Sequence, residues 1–85
     1  MPRFYFDIDD GRRKIADEEG SDLSDRQQAK EEGINLVLEF ARERLADGDQ
    51  RTVLCKIRDG AGALILSVSL ALNAEWNSGQ EGIGK

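Results

Sequence analysis

Residues 3–9 alternate strictly: Phe4, Phe6 and Ile8 fall on one side, and Arg3, Tyr5, Asp7 and Asp9 on the other. A period of two is that of a half-buried strand. Asp10-Gly11 follows, a dipeptide suited to a tight hairpin turn, because glycine takes positive φ without a Cβ clash. A short return strand is expected over residues 13–17, with Ile15 as its one large apolar side chain. It is short and charged, as edge strands tend to be.

Residues 18–22 read as a loop, after which the period changes. Ser24-Asp25-Arg26-Gln27 has the form of a capping box, with Ser24 as cap and Gln27 returning to it. A helix is expected over residues 25–45. On a wheel centred on Val37, the residues Ala29, Gly33, Ile34, Leu36, Leu38, Phe40, Ala41 and Leu45 lie within about 100° to either side, the broad stripe of a helix on a core. Gly33 on that stripe costs roughly 1 kcal/mol relative to Ala, which points to a close approach of helix to sheet. Asp47-Gly48-Asp49 ends the helix.

Alternation then resumes. Residues 51–58 place Val53, Cys55 and Ile57 on one face, 59–62 form a second hairpin loop, and the longest strand starts at Leu64 and ends near Trp76. The expected fold is α+β: a ββαββ order, a four-stranded antiparallel sheet and one amphipathic helix on one face. Strand orders 2-1-3-4 and 2-1-4-3 are both open, and 2-1-3-4 is preferred, since it makes the sheet fully antiparallel. Residues 1–76 form a single domain in this reading, and the Gly-rich polar stretch 77–85 a disordered tail.

Composition narrows the function. The 85 residues allow one domain with a thin core, burying about 60–65% of the unfolded surface, and such domains gain stability by association. The net charge of −5 argues against non-specific nucleic-acid binding, which needs many Lys and Arg. No apolar run reaches the roughly 18–20 residues of a membrane helix, and no signal-peptide pattern opens the chain. Cys55 is the single cysteine, so a reducing cytoplasm is the expected location.

Candidate chemistry is sparse. The chain has no histidine, the commonest general base. Cys55 lies at an inward strand position, where it serves as a small core hydrophobe. No catalytic residue, metal ligand or cofactor is assigned. The acidic residues Asp7, Asp9, Asp10, Glu18, Glu19 and Asp22 suggest a hard-cation site, but the spacing fails as a calcium loop and solvated turn carboxylates explain them better.

The sheet face away from the helix is more informative. Arg3, Tyr5, Asp7, Leu54, Lys56, Arg58, Ile65, Ser67, Ser69 and Ala71 share it by parity. Tyr5 with Arg3, Lys56 and Arg58 resembles a stacking platform for single-stranded nucleic acid, yet it offers one aromatic and carries Asp7. A protein contact fits better, with Tyr5, Leu54, Ile65 and Ala71 as an apolar centre inside a charged rim. Trp76 either caps the core or anchors a partner, as interface tryptophans do. The expected partner is protein, a second copy in a homodimer.

Met1-Pro2-Arg3-Phe4-Tyr5-Phe6-Asp7-Ile8, then Asp10-Gly11, Asp17-Glu18-Glu19-Gly20 and Leu23, resemble a group of short alphaproteobacterial proteins, especially of rhizobial lineages, with no established activity. A looser likeness is to HicB-type antitoxins, which also place an acidic hairpin before a long helix packed on a small sheet. The resemblance implies the fold and a bacterial origin. The functional expectation is a non-catalytic interaction or regulatory module that self-associates through a sheet edge or the open face. The alternatives are an antitoxin-like inhibitor of a basic toxin and a small-ligand or cation sensor.

Overall fold

The computed structural model describes residues 2–44 and 50–76. The alternating N-terminal stretch forms β1 (Arg3–Asp9). The chain reverses at Asp10: its Oδ1 accepts from the Arg12 and Arg13 amides at 3.0 and 2.8 Å, and its own amide donates to the Arg13 carbonyl at 3.1 Å. The return strand β2 (Lys14–Ile15) is shorter than the expected 13–17. The chain then leaves the sheet and comes back as β3 (Ser21–Asp22), within the segment expected to be a loop. β2 pairs with Ile8 and Asp9 at one end of β1, and β3 pairs with Arg3 and Phe4 at the other.

The helix α1 (Arg26–Arg44) follows. Its cap differs from the expected one by a residue. Asp25 Oδ1 accepts from the Gln28 amide at 2.9 Å, and Gln28 Oε1 accepts from the Ser24 amide at 3.0 Å. The expected helix end at Leu45 and the stop at 47–49 lie outside the described residues. β4 (Gln50–Arg58) and β5 (Leu64–Asn73) complete the order. Asp59 holds the hairpin between them, with Oδ1 accepting from the amides of Ala61 and Ala63 at 3.0 and 2.9 Å.

The protein is α+β, with one helix and an antiparallel sheet of five strands rather than four. The sheet runs β2-β1-β4-β5, with β3 also on β1. That path agrees with the expected order; β3 is the addition. Phe4, Phe6 and Ile8 from β1, Val53, Cys55 and Ile57 from β4, and Ala29, Val37 and Ala41 from α1 form the buried core. Gly33 explains itself here. A Cβ at that position would stand 2.8 Å from Ile57 Cδ1 and 3.4 Å from Val68 Cγ2, so α1 lies close over β4 and β5. The buried stripe is narrower than the wheel implies. Ala29, Gly33, Val37 and Ala41 are buried, while Ile34 and Leu38 remain exposed.

Candidate interaction surface

The open face of β1 and β4 is organised around one ion pair. The register sets Tyr5 opposite Arg58 and Asp7 opposite Lys56. Arg58 reaches diagonally to Asp7, with Nε donating to Oδ2 at 2.7 Å and Nη2 to Oδ1 at 3.0 Å, a two-pronged contact. The guanidinium carbon lies 5.1 Å from the Tyr5 ring centre, and Nη2 also donates to the Asp17 carbonyl at 3.2 Å. Asp7 Oδ1 accepts from the Asp17 amide at 3.0 Å.

Asp17 fills the gap between β2 and β3. The Phe6 amide donates to Asp17 Oδ2 at 3.1 Å, and the Glu19 and Gly20 amides donate to Oδ1 at 3.2 and 3.0 Å. A backbone donor between two short edge strands is satisfied by a side chain instead of a third strand. Arg3 holds the same segment farther along, through Asp22 at 3.1 Å and the Glu19 carbonyl at 2.6 Å. Gly20, at φ +73°, passes so close over Arg3 and Tyr5 that a Cβ would stand 2.8 Å from Arg3 Cγ and 2.9 Å from Tyr5 Cε2.

Electrostatics follow this geometry. The hydrogen bond from Arg58 is the largest influence on Asp7 and, against some burial, holds its carboxyl below the usual range. Burial pushes the Asp17 carboxyl up, but the amides of Gly20, Phe6 and Glu19 together hold it below its ordinary value. Asp7 in turn keeps Arg58 firmly protonated.

Three residues expected to face a partner therefore have internal work: Arg3, Tyr5 and Arg58 clamp the 17–22 segment onto the sheet. Leu54 is half-buried and Lys56 exposed on the remaining part of that face. Ile65 is not on it as expected. The register shifts between Ile57 and Arg58, so that Ile57 pairs with Leu66 and Arg58 with Leu64. Such a bulge breaks the alternation, and Ile65 packs against the core. Trp76 lies beyond the end of β5 and is 90% exposed, so it does not cap the core. Sequence parity missed Asp7 and Asp17 as the anchors of the open face. The visible signal was Asp7 on the same face as Arg58.

The opposite edge of the sheet is β5. β5 pairs with β4 and, among the described residues, with no second strand. Its ten residues, LILSVSLALN, carry no charge. Leu64 at its start is 56% exposed, and Leu38 and Ile34 on α1 are 46% and 37% exposed. A shallow groove of about 200 Å³ runs beside the strand, lined by Arg26, Gln27, Ala29, Lys30, Ile57, Ile65 and Leu66. On the β1 side of α1 a wider groove of about 480 Å³ has Phe6, Ile8, Ile15 and Leu36 among its apolar residues and Asp17, Glu18, Glu19 and Glu32 among its acids.

Cys55 is fully buried, and burial, with the charges of Asp7, Asp17 and Glu32, pushes its thiol up to about 11. Asp9 and Asp10 spend carboxylate oxygens on the amides of the first turn. Among the described residues no group of three or more acidic, cysteine or histidine side chains is placed to hold a metal ion. Nor is any described helix long and apolar enough to cross a membrane.

Compared with known families, residues 3–71 match a domain of unknown function, DUF6894. No curated protein and no solved structure matches the chain.

Proposed function

We propose that this chain, which belongs to the DUF6894 family, is a non-catalytic protein-interaction module that self-associates through the β5 edge, working as a homodimer in the cytoplasm. The observation that carries this reading is the asymmetry of the two sheet edges. On the β1 side the edge is guarded: β2 is two residues long and bears Lys14, β3 is equally short, and Asp17 takes the amide left between them. On the β5 side, the uncharged run from Leu64 to Leu72 pairs with no second strand and carries neither Pro nor Lys among the described residues. An edge of that length and polarity pairs with another strand unless something blocks it. The open face, the other surface expected to mediate contact, already uses Arg3, Tyr5 and Arg58 internally.

A non-catalytic role is supported by the lack of histidine and by a cysteine that stays a buried thiol. Light scattering across a concentration series tests self-association. The wild-type chain is expected to run as a dimer, and Ser69→Lys as a folded monomer. Ser69 is exposed, and a lysine there is the guard that natural edges carry. A wild-type chain that stays monomeric at high concentration would sink the reading.

The acidic groove beside β1 favours one second reading, an antitoxin-like inhibitor. Glu18, Glu19 and Glu32 over an apolar floor suit a basic amphipathic segment of another protein. Stoichiometric capture of a basic protein, lost on Glu18→Lys with Glu19→Lys, would support it; capture unaffected by those changes would remove it.

A further inference from the structure

We propose that the two copies join about a two-fold axis perpendicular to the sheet, so that their α1 helices lie antiparallel on one face and pack through Ile34 and Leu38. This arrangement rests on the self-association reading above and specifies how the β5 strands meet.

Face parity is the first argument. In antiparallel pairing, directly opposite residues share a face. Leu66, Val68, Leu70 and Leu72 are half-buried, whereas Ser67, Ser69 and Ala71 between them are exposed. A perpendicular axis near Ser69 sets Val68 against Leu70 and Ser69 against itself, matching apolar to apolar and polar to polar. An axis lying in the sheet plane would put the two helices on opposite faces and leave Ile34 and Leu38 bare.

Spacing is the second. Gly33 lies against both Ile57 of β4 and Val68 of β5, so α1 runs above the line between these strands. Paired strands are about 4.8 Å apart, which sets the axis about 2.4 Å outside β5 and each helix about 4.8 Å from it. The helices then stand roughly 10 Å apart, at the packing distance of helix pairs.

The side chains at that gap are the right ones. Arg26, Gln27 and Lys30 line the groove against β5, whereas Glu32 and Leu36 line the groove against β1. Residues four apart stack along a helix, so the row Lys30-Ile34-Leu38 continues down the β5 flank. Because Gly33 is level with Val68, the middle of β5 is level with Ile34 and Leu38. The two-fold axis thus brings Ile34 of one copy to Leu38 of the other. Charge points to the same occupant. Each copy carries −5, so like copies meet most readily away from their acids, and β5 with Ile34 and Leu38 is an uncharged strip edged by the cations Arg26 and Lys30 rather than by carboxylates.

The test uses the full chain with Ile34→Glu and, separately, Leu38→Glu. Both side chains are exposed in a single copy, and thermal melts check that the variants fold. Sedimentation is expected to show a dimer dissociation constant raised by about 100-fold or more, since each change removes two apolar side chains from the contact and adds two charges. As an independent measurement, copies carrying Ile34→Cys are mixed with copies carrying Leu38→Cys under mild oxidation. They are expected to give a covalent dimer, and copies with Glu39→Cys are not; native Cys55 is buried and does not compete. Unchanged dimers in both Glu variants, or no cross-link, with Ser69→Lys still monomeric, would overturn this arrangement and leave self-association standing. A monomeric wild-type chain, alone or bound to a different protein along β5, would overturn both.

Discussion

Asp17 sits on the outer edge of β1, in the gap between β2 and β3, and its two carboxylate oxygens take the amides of Phe6, Glu19 and Gly20. Asp17→Ala leaves those donors to partial hydration and is expected to cost about 1–2 kcal/mol in urea unfolding, the range of a lost cap. Asp7 and Asp17 both titrate below the usual carboxylate value of about 3.9. As pH falls, the unfolded chain therefore takes up their protons first. The stability they contribute is complete above the unfolded pKa and is lost as pH falls through the depressed folded values. Melting temperatures followed from neutral pH downward are expected to drop at acid pH, and Asp17→Asn is expected to flatten that drop. An equally steep acid loss in the variant would show that Asp17 is not a source of it. None of this was legible from residue types. Asp17 reads as one acid among several until β2 and β3 leave a gap beside Phe6.

At the scale of elements, period decided what could be predicted. β1, β4, β5 and α1 are long enough to show alternation or a helical stripe, and each starts within a residue of the expected place, although β5 ends at Asn73, short of Trp76. β2 and β3 are two residues long, too short for any period. β3 exists because the 17–22 segment is held on β1 from outside itself, by Arg3 and by the Leu23 amide donating to the Pro2 carbonyl at 3.0 Å. The helix start shows a finer ambiguity. Ser24 and Asp25 are both good caps and Gln27 and Gln28 both close a box, so composition allows two frames one residue apart. Asp25 is the cap in the folded chain. Asp25→Ala is expected to lower stability by about 1 kcal/mol, and Ser24→Ala by much less, in paired thermal melts. Equal losses would mean that the frames interchange.

Over the whole molecule, the interface argument predicts a response to salt. A dimer built on β5, Ile34 and Leu38 has no ion pair at its centre, and its copies repel through their net charge. Raising ionic strength from about 0.05 to 0.5 M shortens the screening length several-fold and is expected to leave the dissociation constant unchanged or slightly tighter by sedimentation. Marked weakening with salt would instead implicate the charged open face, with Lys56 and Leu54 as its accessible part.

What the sequence determined by itself is the set of long elements and most of their inward faces, because alternation and helical stripe are local records of which side chains must leave water. The turn at Asp10-Gly11 and the close approach at Gly33 belong there too. The choice between strand paths 2-1-3-4 and 2-1-4-3 was made by the packed sheet. Tertiary structure alone decided which surface residues are already engaged. Arg58 is bound to Asp7 because antiparallel register sets them diagonally adjacent. Ile65 turns to the core because a bulge breaks parity, and Trp76 is bare because β5 stops before it. Ile34 and Leu38 stay exposed because one helix over two strands covers a narrower stripe than its own apolar residues span. Periodicity marks the side chains that seek burial; only packing shows which of them a single chain cannot bury.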